Sequence, residues 1–287
     1  MEINSKTRLC CLIGHPVKHS ISPNIHNTLF QKLNLNYVYL AFDIDPKDLR
    51  STVRGFRAMN VLGFNVTIPH KINVIKYLDK IDSSAKESGS VNTVVNRGGE
   101  LVGYNTDIDG IINSLKDVEY DNCGRALVIG AGGVARAAIV ALRNLGLEDI
   151  IVCNRRLWRA AALVRKFRND HLKMKAISIS EASRYSRNAS IIINATPIGM
   201  WPNVDETPLN SHEISRNAVV LDLVYNPLKT KLIIEAEKAG AKTITGLKPL
   251  IEQAAKAFML WTSIDPPREL MWSVAEKTLK EIFRNEG

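Results

Sequence analysis

Two α/β domains are what this chain predicts, and three observations predict them. Short apolar runs alternate with segments of helical periodicity along the whole sequence, a second alternating series begins at Arg125 with a glycine-rich turn, and 287 residues at 45% apolar content suffice for two cores. In the first series Arg8 to Ile13, Tyr37 to Ile44, Val61 to Thr67 and Val91 to Asn96 read as strands. Helices are predicted over Pro23 to Leu33, Pro46 to Met59 and His70 to Ile81. The boundaries that follow are residues 1–112 for a first domain, 113–247 for a second, and 248–287 for C-terminal helices that pack back on the first. No linker, low-complexity stretch or solenoid repeat interrupts the chain.

Polar clusters stand where the predicted strands end. Gly63-Phe64-Asn65-Val66-Thr67-Ile68-Pro69-His70-Lys71 closes an apolar run with Asn65 and Thr67, and the predicted helix after it places Lys71 in a first turn. An ammonium there faces the positive end of the helix dipole, a cost of roughly 0.3 to 1 kcal/mol. A local rule broken beside two polar side chains points to a site, the plainer reading being a solvated surface lysine. Ser20-Ile21-Ser22-Pro23 precedes Ile25, Leu29 and Leu33, so Ser22 reads as an N-cap and Pro23 as the first helical residue. Capping leaves Ser20 unexplained, and two hydroxyls at a helix N-terminus suit a carboxylate. Asn105-Thr106-Asp107 follows the strand Leu101 to Tyr104, with Asp107 as a cap for a helix carrying Ile108, Ile111 and Leu115.

The second series opens with a specific signal. Arg125 to Ile129 is a short buried strand, Gly130-Ala131-Gly132-Gly133-Val134-Ala135 fits G-x-G-x-x-A, and Ala137 to Leu145 continues as a helix closed by Gly146. Strand, glycine turn and helix in this order define a Rossmann-like dinucleotide-binding unit, because the backbone can approach a pyrophosphate whose charge rests on the helix N-terminus. The next strand, Asp149 to Cys153, ends in Asn154-Arg155-Arg156-Leu157-Trp158-Arg159. An NAD site usually places an acid there for the ribose hydroxyls; three arginines instead suit the 2′-phosphate of NADP. Thr196-Pro197 and Met200, after the strand Ser190 to Ala195, lie at the sheet end that faces a nicotinamide in a doubly wound fold.

The net charge of +9 is scattered over helical segments. There is no run of five basic residues and no aromatic interleaving of the kind that stacked bases require, so small anionic ligands are expected and nucleic acid is not. No apolar run approaches the ~18 residues that span a bilayer, and no signal-peptide layout is present; a cytoplasmic protein is expected. Cys10, Cys11, Cys123 and Cys153 form no C-x-x-C pair and read as reduced core thiols. His15, His19 and His26 lack a carboxylate or thiolate cluster around them. They are expected to make structural hydrogen bonds, and no metal is expected.

In order, these motifs resemble the shikimate dehydrogenase family nearly end to end: Gly14-His15-Pro16-Val17, His19-Ser20-Ile21-Ser22-Pro23 with His26-Asn27, Asn65-Val66-Thr67 with Lys71, Val91-Asn92-Thr93, Asn105-Thr106-Asp107, Gly130-Ala131-Gly132-Gly133, Asn194-Ala195-Thr196-Pro197-Ile198-Gly199-Met200, Asp222 with Tyr225-Asn226-Pro227, and Gly246 with Gln253. The resemblance implies reversible NADPH-dependent reduction of 3-dehydroshikimate to shikimate, on the route to chorismate and the aromatic amino acids. It assigns Ser20, Ser22 and Tyr225 to the substrate carboxylate, and Asn65, Thr67, Asn92, Asp107 and Gln253 to its hydroxyls. Lys71 and Asp107 become the catalytic pair. Gly130 to Ala135, Asn154, Arg155, Arg156, Arg159, Thr196, Pro197, Met200, Val224 and Gly246 become the NADP site. Partners implied are the small-molecule substrate alone, with a monomer or homodimer, and neither nucleic acid nor membrane.

Family members strict for NADP often carry threonine at the position of Arg156, whereas relatives that accept both nicotinamides and quinate often place an acid after Asn-Arg-Arg. Here Leu157 follows and Arg159 restores a second positive charge, which favours NADP. Ser22 in place of threonine leans toward shikimate over quinate. The alternatives are a dual quinate/shikimate dehydrogenase using NAD or NADP, and a non-catalytic sensor of nucleotide and shikimate-like ligands, which would be expected to lose Lys71 or Asp107.

Overall fold

The computed structural model describes residues 3–122, 124–168 and 172–286, with side chains through Ile282. Cys123, expected as a core thiol, lies outside the described residues. Two compact units divide the chain: residues 1–106 with 253–287, and residues 107–252.

The first unit runs β1 (Arg8–Gly14), α1 (Ser22–Lys32), β2 (Tyr37–Asp43), a 3-10 turn (Pro46–Asp48) leading into α2 (Leu49–Ala58), β3 (Gly63–Val66), a second 3-10 turn (Asn73–Tyr77), β4 (Lys80–Ile81), α3 (Ser83–Ser88), β5 (Thr93–Arg97) and β6 (Glu100–Tyr104). Its strands form one mixed sheet in the order β2-β1-β3-β5-β6-β4. β1 is parallel to β2 and β3, while β5 is antiparallel to β3 and β6. The residues after β1, β3 and β6 therefore emerge at the same sheet edge as those before β5. One face buries Cys11, Ile13, Phe64, Val66 and Val94 with Leu49, Val53 and Phe56 of α2. Against the other lies an aromatic group in which His26 stacks on Tyr39, and Phe30, Phe258 and Trp261 surround it.

The second unit contains α4 (Asp107–Leu115), β7 (Arg125–Ile129), α5 (Gly133–Asn144), β8 (Asp149–Asn154), α6 (Leu157–Phe167), β9 (Lys173–Ser178), α7 (Ala182–Ser186), β10 (Ala189–Asn194), β11 (Val219–Asp222), α8 (Lys231–Lys238) and β12 (Lys242–Ile244). All its strands are parallel, in the order β12-β11-β10-β7-β8-β9. Alternate residues point to opposite faces. Ala126, Val128, Ile150, Val152, Ile191 and Ile193 meet α4, α5 and α6, while Leu127, Ile129, Ile151, Cys153 and Ile192 meet α7 and α8. Burial on both faces explains why these strands read as unbroken apolar runs. Ile108, Ile111 and Leu115 belong to this core, which is why the division falls before α4. After β12 the chain continues as α9 (Leu247–Thr262) and α10 (Arg268–Glu286); the division falls within α9, and from Gln253 onward the chain completes the first unit. There the Trp261 indole donates to the Val94 carbonyl at 3.0 Å.

Two expectations change. No α-helix spans His70–Ile81: turns, the 3-10 segment and β4 occupy it. The Lys71 carbonyl accepts the Val91 N–H at 2.8 Å, a tertiary bond that takes the acceptor an α-helix would offer Ile75. β-branched Ile72, Val74 and Ile75 add to the reluctance. The dipole argument for Lys71 falls with that helix. Likewise Ser22 is not the N-cap of α1: Ile21 holds that position without a side-chain bond, and the Ser22 N–H is taken by Ser20 Oγ at 3.3 Å.

Asn27 fastens α1 to the sheet. Its side chain donates to the Tyr39 carbonyl at 2.8 Å and accepts the Tyr39 N–H at 2.7 Å, closing backbone groups of the edge strand β2. Asn27→Leu should therefore lower stability by about 1 to 3 kcal/mol, since both backbone groups of a buried residue lose their partner. Urea unfolding of the variant against the wild type measures this.

Candidate active site

In the first unit the polar residues singled out by sequence collect at one sheet edge. The Asn65 amide, on β3, donates to the Asn92 carbonyl at 3.1 Å and to Thr93 Oγ1 at 3.0 Å, and its Oδ1 accepts the Tyr39 hydroxyl at 2.7 Å. Asn92 donates from its own amide to Thr106 Oγ1 at 2.9 Å and to Gln253 Oε1 at 3.3 Å, while its Oδ1 accepts the Thr106 N–H at 2.7 Å. Four segments, β3, β5, the turn after β6 and α9, are thus joined by amides and hydroxyls. Lys71 is half-buried, and its backbone is held to Val91, next to Asn92. Thr67 sits at the end of β3 with its N–H on the Ile13 carbonyl at 2.9 Å. Ser20 Oγ accepts the Ser22 N–H at 3.3 Å and remains half-buried at the start of α1. Neighbouring Asn105 is consumed structurally, donating to Ser88 and Ser90 at 2.8 to 3.0 Å.

In the second unit β7 ends at a turn that only glycine can make. Gly130 has φ +122, and a Cβ there would stand 2.7 Å from the Ala195 carbonyl oxygen. Around Gly132, by contrast, a Cβ would meet nothing within 4 Å, so there is open room at the N-terminus of α5, whose N-cap is this glycine. That is space and polarity for a pyrophosphate. Ala131 and Val134 border it half-buried; Ala135 is wholly enclosed in the core, so its part is close packing of α5 on the sheet. After β8, Arg155, Arg156 and Arg159 are exposed at the start of α6, whose first turn contains no acid. Asn154 donates to the Arg156 carbonyl at 3.4 Å, and the Arg159 guanidinium lies 5.3 Å from the Trp158 ring centroid.

The ends of β10 and β11 are tied together. Asn194 accepts the Thr196 N–H and hydroxyl at 3.1 and 2.7 Å and donates to Asp222 Oδ1 at 2.9 Å. Asp222 also accepts the Val224 N–H at 3.0 Å and the Thr230 hydroxyl at 2.6 Å. Thr230 in turn caps α8. Gly246 lets this loop pass: a Cβ there would stand 2.3 Å from the Val224 oxygen. Pro197 accepts the Met200 N–H at 3.1 Å, and the Asn226 carbonyl accepts the Trp201 N–H at 3.1 Å, so the loops carrying Thr196 to Met200 and Val224 to Asn226 are fixed to each other. Tyr225 is half-buried between Val224 and Asn226. Asp222 is fully enclosed with no cation among the described donors that reach it, and burial pushes its carboxyl up to about 6.

Asp107 opens α4 as its first residue, with Asp109 in the same turn, and does not precede the helix as a cap. His15 pairs with Asp43 at 2.5 Å, but neither ring nitrogen of His26 has a hydrogen-bond partner among the described residues, contrary to expectation. Its stacking on Tyr39, 4.5 Å between centroids, replaces polar contacts, and burial lowers its pKa to about 3, so the ring is neutral. Sequence reading gave no role to Tyr39, Thr93 or Thr106. A tyrosine inside an apolar strand, whose hydroxyl must find a partner once buried, was the available signal for the first.

A parallel doubly wound sheet with a glycine turn after a central strand defines a dinucleotide-binding protein, here joined to a second α/β unit rich in amides and hydroxyls. Residues 12–94 match the family model of the shikimate dehydrogenase substrate binding domain, 114–223 that of shikimate / quinate 5-dehydrogenase, and 246–276 that of the shikimate 5′-dehydrogenase C-terminal domain. A shikimate dehydrogenase (NADP(+)) of Caldanaerobacter subterraneus subsp. tengcongensis is 46% identical over 265 residues, 91% of this chain and 94% of the relative. Among solved structures, a shikimate dehydrogenase in complex with NADP+ superposes with a TM-score of 0.87 at 42% identity, covering 97% of this chain and 98% of that one. Another, from Thermus thermophilus with NADP(H) and shikimate, gives 0.84 at 36%, covering 94% and 99%. The chain belongs to the shikimate dehydrogenase family.

The Asp222 carboxyl has a measurable signature. Its folded pKa, about 6, lies above the ordinary 3.8, so the stability it contributes is complete below about pH 4 and is lost as the pH rises through 6. Relative to Asp222→Asn, the wild type should lose up to about 3 kcal/mol of unfolding free energy between pH 4 and 7, which urea titrations of both proteins across that range will measure.

Proposed function

We propose that this protein catalyses the reversible NADPH-dependent reduction of 3-dehydroshikimate to shikimate, as a monomer or homodimer in the cytoplasm, on a small-molecule substrate held by the first unit and a cofactor held by the second. The observation that carries this reading is the placing of polar groups outside the strand ends of both sheets, where ligands of α/β folds bind. A polyhydroxylated acid matches the hydroxyls and amides of the first; a dinucleotide with an extra phosphate matches the glycine turn and three arginines of the second. Buried, unbridged Cys10, Cys11 and Cys153 support a reducing compartment.

NADPH, when bound, supplies a hydride. As the ketone carbon is reduced its oxygen gains negative charge, and the site needs a positive charge and a proton donor there. Lys71 provides both, and Asp107 orients the ammonium or shares its proton. Ser20 and Ser22, with Tyr225, hold the substrate carboxylate. Thr67, Asn65, Asn92 and Gln253 meet its hydroxyls. Gly130 to Val134 take the pyrophosphate, Asn154, Arg155, Arg156 and Arg159 the adenosine phosphate, and Thr196, Pro197, Met200, Val224 and Gly246 border the nicotinamide. No helix among the described residues is long and apolar enough to cross a membrane.

Absorbance in the reduced-nicotinamide band, with shikimate or quinate against NADP or NAD, tests the reading; signal is expected for shikimate with NADP. Comparable signal with quinate or NAD would instead mark a dual enzyme, and binding without turnover a sensor. Lys71→Ala should lower kcat about a hundredfold or more while the KM for shikimate changes little. Arg156→Ala with Arg159→Ala should raise the KM for NADP about tenfold and leave that for shikimate unchanged, as steady-state kinetics will report.

A further inference from the structure

Three bonds account for the Asn65 side chain, and they are unevenly divided. Both amide hydrogens are donated within the first unit, one to the Asn92 carbonyl and one to Thr93 Oγ1, whereas Oδ1, with two lone pairs, accepts a single bond among the described residues, from the Tyr39 hydroxyl. The donor side is spent, and one lone pair remains.

Tyr39 is itself held without freedom. Its ring is wholly enclosed and stacked on His26 at 4.5 Å with an interplanar angle of 18°, and its backbone N–H and C=O are both taken by Asn27. Trp261 lies 6.0 Å from it, centroid to centroid. The phenol therefore reaches Asn65 across β1 from a fixed ring. The Asn92 carbonyl, which can only accept, decides which end of the amide is nitrogen, and the fixed phenol donating to the other end holds Oδ1 in place.

We infer that Tyr39 is a positioning residue for substrate recognition: with the Asn92 carbonyl and Thr93 setting the orientation of the Asn65 amide, the Tyr39 hydroxyl holds Oδ1 in place, so that Asn65 meets a substrate hydroxyl as a hydrogen-bond acceptor only. The inference rests on the reading above that Asn65 contacts shikimate, and it adds both a residue and a direction to that contact. The substrate hydroxyl at this position is the donor. Loss of the Tyr39 hydroxyl leaves the ring and its stacking in place but removes the bond that holds Oδ1, so the amide is anchored at its nitrogen end alone.

Tyr39→Phe, Asn65→Ala and the double variant form the test, with kcat and both KM values measured beside thermal unfolding. Tyr39→Phe is expected to fold, to raise the KM for shikimate about tenfold, and to leave kcat and the KM for NADP within about twofold, the pattern of lost ground-state binding. In the double variant the Tyr39 change should add almost nothing to Asn65→Ala, because it acts through that amide. A simple structural role would instead lower stability without this split. If Asn65→Ala fails to fold, Asn65→Ser replaces it in the cycle. An unchanged shikimate KM in Tyr39→Phe or in Asn65→Ala, or additive losses in the double variant, overturns the inference alone. No turnover of shikimate by the wild type overturns the functional reading, and the inference with it.

Discussion

A parallel sheet covered on both faces admits polar side chains only where its strands stop, and much of this molecule follows from that constraint. In the second unit β8 runs Ile150 to Val152, β10 Ile191 to Ile193 and β11 Val219 to Leu221 as unbroken aliphatic stretches, and polar residues follow at the strand ends, Asn154, Asn194 and Asp222. Those three end neighbouring or near-neighbouring strands at the same sheet edge, beside the turn at Gly130. Asn194 and Asp222 are buried there and satisfy each other while fixing the loops that follow; Asn154, half-buried, bonds within its own loop. The same polar atoms that keep the sheet end from being orphaned thereby set the shape of the site.

The first unit reaches a comparable result with a mixed sheet. Reversal of β5 between β3 and β6 brings Asn92, which precedes its strand, to the edge where Asn65 and Thr106 sit near the ends of theirs. Amides suit this position because each carries donors and acceptors at once, so a closed set of bonds can form without any buried charge. Stacking of a neutral imidazole on Tyr39 extends the set into the aromatic layer under α1 and α9.

Strand and helix order was legible because the periodicities are clean and the glycine turn has flanks of the right kind. The arginines after β8 and the hydroxyls around Ser20 were legible too, since both break local expectation. What could not be read was anything decided by partners distant in sequence. Ile72, Ile75 and Leu78 recur at helical spacing, yet a carbonyl bond from Lys71 to Val91 prevents the helix. Ser22 looks like a cap, but Ser20 supplies the oxygen. Tyr39 reads as one more strand aromatic, because nothing local reveals an amide two strands away. His26 falls in a polar motif and is in fact an aromatic ring in an aromatic layer.

The connectivity of the two units bears on how the molecule comes to exist. The second unit is one continuous stretch, 107–252, whereas the first is made of two stretches separated by it. During synthesis the N-terminal 106 residues emerge early but lack Phe258 and Trp261, which cover the Tyr39 face of their sheet. Domains fold as units on a growing chain, so the later-emerging stretch is the first that can close completely, while an open aromatic face waits. The first sheet therefore cannot cover its Tyr39 face until nearly the whole chain has been made, whereas the second unit holds all of its strands in one stretch.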